Sequence, residues 1–346
     1  MQRRICSWVW ITTICLLLGG PHVRPEAASV AATDRIWLVP NPGSLDLISL
    51  FEHPEQWPHA RARMNVFQFT EQHTLTPPPA IVGPNSYDAL ARAGAFSLLK
   101  QWGKHTAIGV GAVKEFYCTA DSTGLDAAIR DAEGAIRAVN DAGGAVTYLA
   151  MDDPFAAGQA RICGGPDLTP TADRLKVFVT TIRRDFPGIQ IGQLEAYPTF
   201  APDSFQQMFD LLNARGVMPA FLQLDIDIRG IRPPRDFTSD VREIREIARA
   251  AGVPMGVILW GYNGDADALF TDDLYVLANA VNRAFPTWSD LPEQLSIQSW
   301  AMSRTGLNIT PSNLPETRLY TLTNTLDDLY RRFKGGPSND VAIGRR

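Results

Sequence analysis

Eight short apolar runs, separated by segments of helical periodicity, predict an α/β protein folded as a single-domain (β/α)8 barrel. Two observations favour a barrel over an open doubly wound sheet, the other architecture that such alternation permits. The runs span most of the chain, and no linker divides them. Three consecutive runs also end in carboxylates, which suits the one face where a barrel gathers its functional groups.

The strand candidates are residues 35–41 (RIWLVPN), 64–70 (MNVFQFT), 105–113 (HTAIGVGAV), 145–154 (AVTYLAMDDP), 190–198 (QIGQLEAYP), 221–228 (FLQLDIDI), 254–262 (PMGVILWGY) and 295–300 (LSIQSW). β-branched, aromatic and small residues dominate them, and Gly or Pro often stands at their ends. Helical patterns lie between. Residues 125–142 are Ala-rich and stop at Gly143 and Gly144, and 171–186 stop at Pro187 and Gly188. Residues 203–216 and 239–252 follow, with Ser239 expected as an N-cap and Gly252 just past the helix end. Residues 274–285 and 317–333 complete the set. The Pro-rich stretch 74–85 reads as a long loop after the second strand rather than a domain boundary.

The 346 residues are 45% hydrophobic and 20% charged, with a net charge of −5, which is ordinary globular composition. Both signs are dispersed and no basic block occurs, which argues against a nucleic-acid partner. Residues 1–32 read as a signal peptide. Arg3 and Arg4 precede an apolar stretch at 5–18 that is short for a membrane span, and 26–32 (EAASVAA) offers small residues for cleavage. The expected mature domain is 33–334, secreted or periplasmic and without a membrane span, and 335–346 is expected to be a disordered tail. Cleavage would remove Cys6 and Cys15 and leave Cys118 and Cys163, an even number in an oxidising compartment. A disulfide between them is expected, worth at most about 4 kcal/mol by loop entropy. In a barrel these two cysteines follow neighbouring strands on one rim.

Side chains alternate along a strand. On the sixth run, Leu222, Leu224, Ile226 and Ile228 supply a helix-facing side, so Gln223, Asp225 and Asp227 are expected to point toward the axis. The same alternation assigns inward positions to Tyr148 and Asp152, to Gln193 and Glu195, and to Ser296, Gln298 and Trp300. A charged group at the tip of a core strand is costly to desolvate unless it is paired or used. Asp152, Glu195 and Asp225 are therefore candidate catalytic residues. Asp153, Asp227, Gln193, Gln223 and Gln298 are candidate substrate-binding residues. Plainer roles compete: the glutamines fill a polar interior, and Asp153 or Asp227 pairs with an arginine such as Arg229 or caps a loop. Tyr197, Trp260, Tyr262 and Trp300 stand near strand ends, where rings stack on sugars or simply pack. Trp37, Trp57, Trp102 and Trp288 read as structural.

Paired carboxyls flanked by aromatics suit glycosidic bond cleavage, one carboxyl giving a proton and the other ionised. Glu195 is the expected general acid and Asp152 the nucleophile or base, with Asp225 tuning the pair or replacing a member. Neighbouring strands about 4.8 Å apart would suit a retaining pair, and strands two apart an inverting pair with carboxyls roughly 6.5–9.5 Å apart.

Acids at the ends of the fourth, fifth and sixth strands, in the segments MDDP, LEAYP and LDID, resemble the TIM-barrel glycoside hydrolase superfamily. The resemblance implies a carbohydrate substrate or ligand, hydrolysis of an O-glycosyl bond and no cofactor. Many retaining members carry Asn-Glu after the fourth strand and Glu at the seventh; this chain has Asp152-Asp153 and Trp260-Gly261-Tyr262. Two rival functions use the same strand ends. One is a divalent-metal hydrolase built on Asp and Glu oxygens, although His53, His59, His73 and His105 show no paired ligand spacing. The other is a glycan-binding barrel without turnover. No G-x-S-x-G elbow or P-loop occurs, and no G-x-G-x-x-G opens a helix after the first strand.

Overall fold

The computed structural model describes residues 35–119, 121–233, 235–301 and 309–335. The leader expected at 1–32 lies outside the described residues, as does the expected tail beyond Gly335. The eight strands are β1 (Ile36–Val39), β2 (Val66–Thr70), β3 (His105–Val110), β4 (Val146–Met151), β5 (Gln190–Tyr197), β6 (Leu222–Ile226), β7 (Met255–Leu259) and β8 (Gln294–Gln298). All pair in parallel and in sequence order, and β8 returns to β1 to close the barrel. The closing seam runs from Ile36 opposite Leu295 to Val39 opposite Gln298. The (β/α)8 barrel expected from the alternation is therefore the fold, and the open sheet is not.

The six expected helices are present as α5 (Thr123–Asp141), α7 (Thr169–Asp185), α8 (Pro202–Ala214), α9 (Phe237–Ala250), α10 (Asp267–Ala284) and α11 (Leu322–Gly335). Five short helices were not legible: α1 (Ser49–Glu52), α2 (Pro58–Arg63), α3 (Tyr87–Arg92), α4 (Ala95–Gln101) and α6 (Pro154–Gly158). Each is shorter than the two turns over which helical periodicity becomes readable. The cap of α9 differs from expectation. Asp236, not Ser239, takes the N-cap position and accepts the Ser239 N–H at 2.9 Å. Gly252 does stand past the helix end, with φ +73°, a conformation that favours glycine.

The outward strand faces join one large core with the helices, including Leu38, Phe67, Ile108, Leu149, Leu222, Leu224, Val257 and Ile297. A second cluster fills the barrel itself: Trp37, Val66, Ala107, Tyr148, Ala150, Leu194, Phe221 and Ile258. Trp37 packs its ring 5.0 Å from Tyr148 and 5.3 Å from Phe221, an aromatic plug across the axis. Glycines make the plug fit. A Cβ on Gly192 would stand 2.3 Å from the Phe221 ring, and one on Gly256 would stand 2.7 Å from the Gln294 Cβ.

Candidate active site

Strand β5 corrects the expected parity. Leu194 belongs to the barrel interior and Gly192 faces the Phe221 ring. The opposite side, with Gln193, Glu195 and Tyr197, therefore points out toward the helices. Gln193 donates to the Met208 sulfur on α8 at 2.9 Å and to Glu195 Oε1 at 2.6 Å. Glu195 is fully buried and accepts the backbone N–H groups of Phe155 at 2.8 Å and Ala156 at 2.9 Å. It thus satisfies the first turn of α6, where free N–H groups and the helix dipole favour a carboxylate. Burial pushes its carboxyl up to about 7, against the pull of those hydrogen bonds. Tyr197 donates to Asp240 on α9 at 2.6 Å. Gln193, Glu195 and Tyr197 are thus not at the axis. The alternation misleads here because the outward side of β5 carries polar groups with specific partners.

The other two candidate acids do converge. Asp152 follows β4, and its N–H bonds the Val110 carbonyl at 2.9 Å, extending the ladder by one residue. Its carboxylate forms an ion pair with Lys114, from the loop after β3. The same ammonium stands 3.9 Å from Asp153. Asp225, near the end of β6, pairs in register with the interior residue Ile258 and so faces the axis. Burial raises the Asp225 carboxyl to about 6; the negative charge of Asp152 adds to the rise, and Lys114 and the Trp260 indole oppose it. Burial pushes the Asp153 carboxyl well above the usual range, helped by the charges of Asp152 and Asp225. Asp153 sits at φ +46°, unusual for a residue with a side chain, at the N-cap of α6. Oδ1 of Asp153 and Oδ1 of Asp225 find no hydrogen-bond partner among the described residues.

Below this mouth lies a layer of amides. Gln223 donates to Gln294 Oε1 across the barrel at 2.7 Å, so Gln223 fills the polar interior. Gln298, Ser296 and Gln68 are buried on inward positions, and Gln298 Oε1, Ser296 Oγ and Gln68 Oε1 lack partners among the described residues. The rim carries Trp260, partly buried, with Tyr262 and Trp300 exposed. Asp227 lies past the end of β6. It caps the next turn and is held by Arg229 through two hydrogen bonds of 2.8 and 2.9 Å. That is the arginine pairing and loop capping weighed from sequence, not an inward role. The Arg229 guanidinium in turn stacks 4.2 Å from the Tyr262 ring.

Sequence reasoning missed Lys114, Gln68 and Glu71. Lys114 had one signal: acids converging at a mouth need a cation, and it lies four residues past β3. Glu71 follows β2, is 4% exposed, and accepts the Gly111 N–H at 2.8 Å. Burial pushes its carboxyl up to about 8. Cys118 and Cys163 form the expected disulfide, with Cα atoms 5.0 Å apart. It ties the loop of Lys114 to the segment after α6. A separate rim cleft of about 470 Å³ lies among the loops after β1, β7 and β8, lined by Asp46, Asp265, Asp267 and Arg318 among others. Among the described residues no three His, Cys, Asp or Glu side chains are grouped to hold a metal ion. No described helix is long and apolar enough to cross a membrane.

No protein-family model matches the chain, and no curated protein matches it. Solved structures share its architecture at low identity. Active domain 2 of a thermostable chitinase from Pyrococcus furiosus is 14% identical with a TM-score of 0.51, over 86% of this chain and 95% of that one. A Cellulomonas fimi endo-β-1,4-mannanase is 12% identical with a TM-score of 0.50, over 86% of this chain and 70% of that one. A psychrophilic family 10 endo-β-1,4-xylanase is 12% identical with a TM-score of 0.50, over 85% of this chain and 96% of that one. At such identities the likeness is one of fold: the chain is a (β/α)8 barrel of the kind on which these glycoside hydrolases are built.

Proposed function

We propose that this protein is exported and hydrolyses a glycosidic bond in a carbohydrate held at the barrel mouth, with Asp225 as general acid and Asp152 as general base. The observation that carries it is the pair of carboxyls, from strands two apart, both influenced by the ammonium of Lys114. Asp225 replaces Glu195 in the acid role, because Glu195 is committed to α6. A carboxyl raised to about 6 is protonated often enough to donate and acidic enough to let its proton go. Asp152, as the anionic half of an ion pair, is the proton acceptor.

Strands two apart stand about 9–10 Å apart, and side chains leaning toward the axis would bring such carboxyls into the roughly 6.5–9.5 Å of an inverting pair. Asp225 gives its proton to the departing glycosidic oxygen as the bond to the anomeric carbon breaks. Asp152 takes a proton from a water whose oxygen bonds that carbon from the other face. The rings of Trp260, Tyr262 and Trp300 offer faces for sugar stacking. Export rests on the leader-like residues 1–32 and on the disulfide. The test is release of reducing ends from a panel of oligosaccharides by the mature protein and by Asp225→Asn and Asp152→Asn. A hit whose turnover survives both substitutions sinks the assignment.

A further inference from the structure

Among the described residues, the mouth gathers more acidic groups than its own cation balances. Asp152, Asp153 and Asp225 face it, against the one ammonium of Lys114. The Asp227–Arg229 pair past the end of β6 is neutral within itself. Four unpartnered atoms in and below the mouth are acceptors, beside three that can donate, on Trp260, Gln294 and Ser296. Asp153 Oδ1, Asp225 Oδ1, Gln68 Oε1 and Gln298 Oε1 are acceptors without a donor among the described residues. The two amides are only 4% and 2% exposed. Gln298 shares the inward parity of Gln294, which bonds Gln223 inside the barrel. Gln68 lies against Gly109, two residues past the interior residue Ala107. Buried acceptors without donors are costly, and buried carboxylates more so. A neutral hydroxyl would satisfy an acceptor but leave the acids crowded, with Asp153 still held well above the usual carboxylate range. A ligand carboxylate would add to the repulsion. An ammonium does both jobs, with three N–H donors and one positive charge.

We propose that the mouth selects a sugar carrying a free, protonated amine, seated between Asp153 and Asp225 beside the Trp260 ring. The inference rests on the carbohydrate reading above and narrows it to amino sugars. The ammonium pairs with Asp153, which it draws into its ionised form, and donates to the unpartnered Asp225 Oδ1, leaving the other Asp225 oxygen to carry the proton of the general acid; the sugar hydroxyls donate to Gln68 and Gln298.

The experiment is calorimetric titration of the intact mature protein, at a pH below that of amine deprotonation, with three tetrasaccharides: a fully deacetylated glucosamine oligomer, its N-acetylated counterpart and a neutral glucose oligomer. The expected result is binding of the amine at least about tenfold tighter than either neutral ligand. That gap should narrow in high salt and collapse in Asp153→Asn and in Asp225→Asn. The salt arm needs no variant, so it stands even if one substitution unfolds the protein. Equal or tighter binding of a neutral tetrasaccharide overturns the selection for charge while leaving the carbohydrate reading standing. A gap that persists in high salt and in both folded variants overturns the seating between these two aspartates. Binding of none of the three overturns this inference together with the reading beneath it.

Discussion

Glu71 gives the sharpest stability prediction, because its carboxyl is buried behind the mouth and its charge is opposed by its surroundings. Burial raises it from 4.5 to about 8, despite the hydrogen bond from Gly111. At 1.36 kcal/mol per pH unit, the ionised form in the folded protein is disfavoured by on the order of 5 kcal/mol. The folded state binds the proton more tightly than the unfolded chain, so between these two values ν_N exceeds ν_U and stability falls as pH rises. The contribution is fully present below about 4.5 and is lost as pH climbs through about 8. Glu71→Gln keeps an acceptor for the Gly111 N–H and removes the titration. Urea denaturation at pH 5.5, 7 and 8.5 would measure it. The wild type should lose roughly 2–5 kcal/mol more than the variant across that range. Part of the slope should survive in the variant, because Glu195 is raised to about 7 by the same cause. Parallel stability curves for the two proteins would refute the reasoning.

Lys114→Met should lower hydrolysis of any identified substrate by at least about a hundredfold with a change of only a few degrees in Tm. It should also move the high-pH limb of kcat upward, because Lys114 pulls the Asp225 carboxyl down. An unmoved limb would count against the cation's role. Glu195→Ala should cost about 2–4 kcal/mol in urea denaturation by freeing the Phe155 and Ala156 N–H groups in a buried setting. If Glu195→Gln instead abolished turnover at unchanged stability, Glu195 would be chemical after all. Replacing Cys118 and Cys163 together by serine should destabilise by up to about 4 kcal/mol, read as a lowered denaturation midpoint. Gly192→Ala should destabilise by about 1–3 kcal/mol or more, since the added methyl meets the Phe221 ring head-on. A neutral result would mean that the aromatic plug yields.

The barrel was readable because eight apolar runs and their helices recur with little interruption. The inward parity of β6 was readable because Leu222, Leu224 and Ile226 leave no doubt about the helix-facing side. The same rule failed on β5. There Gly192 and Leu194 face the axis, and the polar residues bind Met208, the start of α6 and Asp240. Alternation identifies two sides of a strand but does not name them when both are buried. Lys114 and Glu71 were out of reach for a different reason: their partners lie 38 and 40 positions away, and only closure of the barrel brings them together.

The stack of Trp37, Tyr148 and Phe221 rings turns the barrel from a tube into a cup. Whatever enters must leave by the same opening. Under the proposed hydrolysis, a cleaved fragment and the next incoming molecule would compete for one doorway, and the architecture would favour short occupancy, shallow grip and sensitivity to accumulated product.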